Sequence, residues 1–281
     1  MARIAGTNGK APETTDFVAF ERSGWARRAG TYDRGFGLLA AGAHQALLDA
    51  VAAGQGVRLL EVGCGTGQLA RTAVARGAKV FATDAAENMT AFTSGAAPEA
   101  RVICAALPML PFDDNAFDAA VGAFVLNHVP TPLAAIGELA RVIHPGGVIA
   151  LSCWDTDENN RAQGIFVDAL AVVNAPRPAG LPVDAPFIKH ATEEGFADLM
   201  RRSGLHDVGV VRVTWTHRVD PDLWWHDVLT GTVLTSARIE GQDADTRHRI
   251  RSAYNHLAGQ YRVDEHVVGL PAAALVAVGI V

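Results

Sequence analysis

The feature that most narrows the fold of this chain is Leu59-Leu60-Glu61-Val62-Gly63-Cys64-Gly65-Thr66-Gly67. There an apolar run over 57–62 passes through an acid into three glycines at alternate positions. Gln68-Leu69-Ala70-Arg71 follows and reads as the opening of a helix. A strand, a tight glycine turn and a helix N-terminus in succession make the geometry that cradles a nucleotide cofactor, because unpaired helix N–H groups meet the strand's carboxyl end there. Glycine permits positive φ in such a turn and lets the backbone approach a ligand closely. The spacing carries further information. A dinucleotide fingerprint is G-x-G-x-x-G, and its third glycine would fall at Gln68; here it falls at Gly67. A nicotinamide-dependent oxidoreductase is therefore disfavoured, though it stays open as an alternative.

Three further segments follow in order. Lys79-Val80-Phe81-Ala82-Thr83-Asp84 reads as a second strand ending in an acid. Leu110-Pro111-Phe112-Asp113-Asp114-Asn115-Ala116-Phe117-Asp118 leads into a strand expected over 119–124. Glu138-Leu139-Ala140-Arg141-Val142-Ile143-His144-Pro145-Gly146-Gly147 reads as a helix end and turn before a strand over 148–153. Together with the glycine turn, these segments resemble the ordered motifs of the class I S-adenosylmethionine-dependent methyltransferases. They are similar in particular to the ubiquinone/menaquinone-type small-molecule branch. The resemblance covers residues 32–205 and thins out beyond.

The resemblance implies an α/β fold, a Rossmann-like doubly wound sheet of seven strands with the last antiparallel, carrying helical cap insertions. It implies S-adenosyl-L-methionine as cofactor, with the turn of Gly63, Cys64, Gly65 and Gly67 around its methionine part and Glu61 near its ammonium end. Asp84, followed by Ala85, would take the ribose hydroxyls as a charge-assisted pair. Met89, Ala106, the backbone N–H of Leu107 and Phe124 would surround the rest, under an aromatic N-terminal lid that carries Tyr32. Position 106 departs from the pattern. Many relatives have an acid there that accepts from the adenine amino group, and this chain has Ala106. The adenine contact must then come from backbone, water or another side chain.

Composition bounds the rest. A chain of 281 residues with 49% hydrophobic and 19% charged residues is globular and long enough for one large α/β domain with an inserted cap. Net charge is −6 and no basic run exceeds Arg27-Arg28 or Arg201-Arg202, so nucleic-acid substrates are disfavoured. The N-terminus lacks an apolar signal region, and no stretch reaches membrane-spanning length. Three isolated cysteines, Cys64, Cys104 and Cys153, point to a reducing cytoplasm with neither a disulfide framework nor a metal site. The expected organisation is a flexible tail over 1–16 and a single domain over 17–281, with a lid over 17–35. A helix is expected over 36–51, a strand over 208–217 and a last short strand over 273–278. The resemblance makes 154–190 and 220–263 the insertions that cap the substrate pocket.

For the chemistry, His128 is the best candidate base. It follows the fourth strand, whose carboxyl end faces the ligand in open α/β sheets, and histidine titrates near neutrality. The alternative for His128 is a hydrogen bond to its own loop. Trp25, Trp154, Trp215, Trp224 and Trp225 are the candidate acceptor-binding residues. Trp224 and Trp225 are adjacent, so one helix cannot turn both toward one core. The expected activity is methyl transfer to an O, N or C atom of a small, partly apolar or aromatic molecule. A methyltransferase-like protein that binds the cofactor without methylating, such as a cyclase or a regulator, is the second alternative. Oligomeric state is left open.

Overall fold

The computed structural model describes residues 14–182 and 185–281. Most of the expected tail lies outside these residues, and the first helix, α1 (Thr14–Ala26), already begins at Thr14. Next come α2 (Ala29–Tyr32), α3 (Phe36–Ala40) and α4 (His44–Ala50). The single helix expected over 36–51 is thus divided by a 3-10 turn, Ala41–Ala43, where Gly42 lies beneath the Trp215 ring with no room for a side chain.

An alternating series follows: β1 (Arg58–Val62), α5 (Gln68–Ala75), β2 (Lys79–Asp84), α6 (Glu87–Ala96), β3 (Arg101–Cys104), β4 (Phe117–Gly122), α7 (Pro132–Val142) and β5 (Ile143–Trp154). The C-terminal part holds α8 (Arg161–Val172), α9 (Glu193–Arg202), β6 (His206–Val219), α10 (Pro221–Gly231), α11 (Leu234–Glu240), α12 (Ala244–Gly259) and β7 (Val268–Ile280). The strands form one sheet in the order β3-β2-β1-β4-β5-β7-β6, and β7 runs antiparallel to both its neighbours. This is the seven-stranded, doubly wound α/β fold with an antiparallel last strand that the sequence predicts.

Alternation along buried strands explains why helices cover both faces. Leu60, Val62, Ile149 and Leu151 enter one core with Ile136 of α7 and Phe196 of α9. Their neighbours Leu59, Val121 and Ala150 enter the opposite core with Leu47 of α4 and Leu69 of α5. Successive side chains of a strand point to opposite faces, so both residues of each pair are buried. A third cluster lies within the C-terminal helices and joins Phe36, Ile165, Phe166, Trp224, Ile250 and Tyr254.

Strand boundaries differ from expectation in β4, β5, β6 and β7. β4 ends at Gly122, two residues early, and Phe124 takes a left-handed conformation with φ 57°. β5 begins at Ile143 because the His-Pro-Gly-Gly segment pairs with the chain end: Gly146 N–H donates to Val281 O at 2.8 Å and Val281 N–H to Gly147 O at 3.0 Å. β6 and β7 both run past the end of β5 as a two-stranded ribbon, with Thr214 to Val219 opposite Ala273 to Val268. Pro271 sits in that extension, where no β5 neighbour requires its missing N–H. The helix start at Thr192 is as expected, its hydroxyl accepting from Gly195 N–H at 3.0 Å. No helix among the described residues is long and apolar enough to cross a membrane.

Candidate functional site

β1 leads to β2 on one side and has β4 on the other, so the chain direction through the sheet reverses at β1. Clefts at the carboxyl ends of strands form at such a switch point. A cavity of about 430 Å³ lies there, adjoined by a recess of about 40 Å³; Tyr32, Gly63, Gly65, Ala123 and Phe124 line both.

The glycine turn forms the floor. Gly63, Gly65 and Gly67 all have positive φ, at 70°, 54° and 87°. At Gly67 a side chain would also meet Thr93 Cα at 2.8 Å, so the residue permits α5 and α6 to pack closely. Gly65 has the opposite role: its nearest neighbour in that direction is Tyr32 at 4.0 Å, and its backbone faces the open cavity. Cys64 lines the smaller recess and packs into the sheet core beneath the turn. Its thiol, which accepts from the Thr93 hydroxyl at 3.2 Å, is buried and pushed well above the usual range by that burial.

Two carboxyls sit beside the turn. Asp84 Oδ2 accepts from Gly65 N–H at 3.0 Å and Oδ1 from Ala86 N–H at 3.0 Å, so the strand-end acid braces the turn while bordering the cavity with Ala85. Burial raises its pKa, against the opposing pull of those backbone bonds and of His128. Glu61 lies in the smaller recess, 2% exposed, and its Oε2 has no hydrogen-bond partner. Burial, with the negative charge of Asp84, pushes it up to about 8. His44 lines the same recess, and burial lowers it to about 4, so it supplies no counter-charge near neutrality. A buried, unpartnered carboxyl fits a ligand ammonium, which would satisfy the oxygen and favour its ionised form.

The larger cavity is walled on one side by Asp84, Met89, Ala106 and Leu107, and on the other by α1 and the loop after β4. Position 106 presents a methyl group there. The N-terminal segment over 17–35 is tied to the turn at several points. Asn88 donates to Ala26 O at 2.7 Å. The Asp33 carboxylate accepts from Thr66 Oγ1 at 2.8 Å and from the Gln68 side chain. Tyr32 is held edge-on to Trp25, ring centroids 5.6 Å apart. From α1, Glu21 Oε2 lies 2.7 Å from His128 Nδ1 and accepts from Trp25 Nε1 at 2.9 Å. His128 is thus engaged by α1 rather than by its own loop.

Of the tryptophans expected at the acceptor, Trp25 borders the cavity. Trp154 stacks on Phe124, centroids 3.8 Å apart, behind the cavity wall, and Trp215 lies 6.2 Å further on. Trp224 and Trp225 belong to the packing of the C-terminal helices and line neither cavity. Trp224 is fully buried, its Nε1–H donating to Ala162 O at 2.9 Å. Trp225 packs on Tyr254 at 5.1 Å under the Arg251 guanidinium. α10 lies between Phe36 on one side and α8 and α12 on the other, so both adjacent rings find a protein partner.

Glu21 and Asp33 are the site residues that sequence reasoning missed. A signal exists for the first. Phe17, Glu21 and Trp25 share one stripe of α1 at a spacing of four, and an acid on an otherwise apolar stripe marks a polar partner across the interface.

Comparison with known proteins agrees with this geometry. Residues 60–151 match the family model described as a methyltransferase domain. An uncharacterised protein of Mycobacterium tuberculosis is 31% identical over 156 residues, which are 53% of this chain and 55% of that one. The demethylmenaquinone methyltransferase of Clavibacter sepedonicus is 38% identical over 132 residues, 44% of this chain and 54% of the enzyme. The chain thus spans about half the length of the curated relatives it matches. Among solved structures, a Thermotoga maritima protein described as an S-adenosylmethionine-dependent methyltransferase, possibly acting on histamine nitrogen, superposes with a TM-score of 0.55 at 17% identity. It covers 92% of this chain and 99% of its own, a likeness of fold. Glycine turn, strand-end acid and sheet topology agree with the match of residues 60–151 to a methyltransferase domain, and in these features the chain resembles the class I S-adenosylmethionine-dependent methyltransferases.

Proposed function

We propose that this protein transfers a methyl group from S-adenosylmethionine to a small, partly apolar or aromatic molecule. The observation that carries the reading is the unpartnered, buried Glu61 carboxyl one strand away from Asp84, at the two ends of the open glycine turn. When bound, the cofactor supplies a methyl group already made electrophilic by its sulfonium. The protein's residues bind, orient and exclude water. Glu61 takes the ammonium, the Gly65 backbone lies along the methionine part, and Asp84 accepts from the ribose hydroxyls. Met89, Ala106 and Leu107 form the adenine wall. Tyr32 and Trp25 close the site from the lid. Positioning an acceptor in line with the methyl–sulfur bond supplies on the order of 7–11 kcal/mol of such a barrier. Val18, Trp25, Val125, Val129 and Pro130 make the remaining surface mostly apolar, which suits an acceptor with ring or hydrocarbon character. A small-molecule acceptor in the cytoplasm belongs to the same reading.

Calorimetric titration with S-adenosylmethionine and S-adenosylhomocysteine tests it. Wild type is expected to bind with micromolar affinity. Asp84→Ala is expected to bind about ten- to a hundredfold more weakly, the loss of a hydrogen bond to a charged group. Absence of binding by folded wild-type protein overturns the reading and redirects the search to nicotinamide cofactors. Binding without a methylated product from an acceptor panel would favour a non-methylating role.

A further inference from the structure

The contact between α1 and the loop after β4 joins residues 107 apart in the chain, Glu21 and His128, through a 2.7 Å approach of Oε2 to Nδ1. Glu21 is 7% exposed. A lid that served only to cover the cavity would place an apolar residue on this stripe, because burying a carboxylate is costly unless donors meet it. Two donors do. The indole N–H of Trp25 can only donate, and its bond to Glu21 Oε2, at 2.9 Å, is shorter than its 3.4 Å approach to His128 Nδ1. With the indole proton directed to the carboxylate, Nδ1 is free to carry the imidazole proton and donate it to the same oxygen. The lone pair of the ring then resides on Nε2. That nitrogen has no protein partner among the described residues, and the ring borders the cavity. The other charged groups facing this corner are Asp84 at the end of β2, which interacts electrostatically with His128, and Arg22 on α1.

We propose that Glu21 is a positioning residue. Closure of α1 delivers its carboxylate to Nδ1, fixes the tautomer and direction of the His128 ring, and leaves Nε2 as the proton acceptor facing the reaction. The inference rests on the methyl-transfer reading. For a hydroxyl acceptor, the O–H proton passes to Nε2 while the oxygen's electron pair bonds to the methyl carbon, whose bond to sulfur breaks with its pair remaining on sulfur. The resulting imidazolium is held against the Glu21 carboxylate, and its proton leaves to solvent when the lid opens. The basic site is complete only with the lid shut, since one half of it rides on α1.

The test is the tautomer of His128 in the ligand-free protein, read by two-bond proton–nitrogen correlation on histidine-labelled samples at a pH where the ring is neutral, with His128→Asn for assignment. Wild type is expected to show the Nδ1–H form. Glu21→Leu, which removes the acceptor and keeps the site apolar, is expected to lose that signal to the Nε2–H form, and Glu21→Gln, which retains an oxygen, to restore it. An Nε2–H tautomer in wild type overturns the proposal without any variant, and so does an unchanged ratio in Glu21→Leu. S-adenosylhomocysteine calorimetry on the same samples separates the two levels. Comparable binding to wild type and Glu21→Leu with an unchanged tautomer overturns the positioning role alone. No binding to wild type overturns the methyl-transfer reading, and the proposal with it.

Discussion

Glu61 and Asp84 lie near the ends of neighbouring strands, and burial together with the Asp84 charge makes Glu61 harder to ionise. Glu61, at about 8 in the folded protein against an ordinary 4.5, keeps its proton over a window in which the unfolded chain has lost it. The native state therefore binds more protons there. The group's contribution to stability is most favourable below its ordinary value, declines as pH rises through the window, and becomes constant above about 8. A ligand ammonium reverses that preference by stabilising the carboxylate. Binding of S-adenosylhomocysteine in the neutral range is accordingly expected to expel about one proton, measured as a dependence of calorimetric enthalpy on the ionisation enthalpy of the buffer. Glu61→Gln is expected to abolish that dependence, and a wild-type enthalpy indifferent to buffer would place the ammonium elsewhere. Both carboxyls were legible in the sequence because their positions are local facts: each lies at or next to the end of a strand that leads into the cofactor turn or its neighbour. Glu21 and Asp33 were not, because their partners lie 107 and 33 residues away, and no local periodicity encodes which loop a lid will meet.

Among the elements, the N-terminal segment over 17–35 carries several cavity residues and is tied by side-chain hydrogen bonds to the sheet side. Asp33 is the hook: its carboxylate receives both Thr66 of the glycine turn and Gln68, the first residue of α5. Asp33→Ala removes both while leaving the sheet cores untouched. The expected result is faster amide exchange in α2 and the C-terminal turn of α1, and weaker binding of S-adenosylhomocysteine by about fivefold, the value of one modest hydrogen bond. The global melting temperature is expected to hold. A fall in melting temperature with no local change in exchange would mean that the hook belongs to the core. Other elements show where sequence patterns stop informing. β2 and the α9 N-terminus carry their own signals, an apolar run ending in an acid and a Thr-Glu-Glu cap. β7 runs well past the short strand expected over 273–278, and Gly269 and Pro271 are tolerated there because no β5 residue pairs beside them. The helix over 36–51 has unbroken apolar spacing, yet it bends at Gly42 to admit a tryptophan from β6, a constraint that resides in another part of the chain.

For the whole molecule, β7 decides whether the helical cap is a separate unit. Its Leu275 enters one sheet core, Val276 the opposite one, and Leu270 and Ala272 the cluster within the C-terminal helices. A single strand thus passes through all three, and α3 brings Phe36 from beside the lid into the cap, stacked on Trp224 at 6.0 Å. Loss of the cap would expose the outer half of the β6–β7 ribbon and leave the lid without one of its supports. Cap and sheet are therefore expected to unfold together. In wild type, tryptophan fluorescence, to which the cap contributes Trp224 and Trp225 of α10, and far-ultraviolet circular dichroism, which samples the whole, should give coincident denaturant transitions. Trp224→Ala removes a fully buried ring and its bond to Ala162. It is expected to cost about 3–5 kcal/mol. In a shared structure that loss moves the entire transition to lower denaturant with both probes still coincident. A biphasic curve, in which fluorescence changes first while most of the dichroism persists, would instead make the cap a module that folds on a finished sheet.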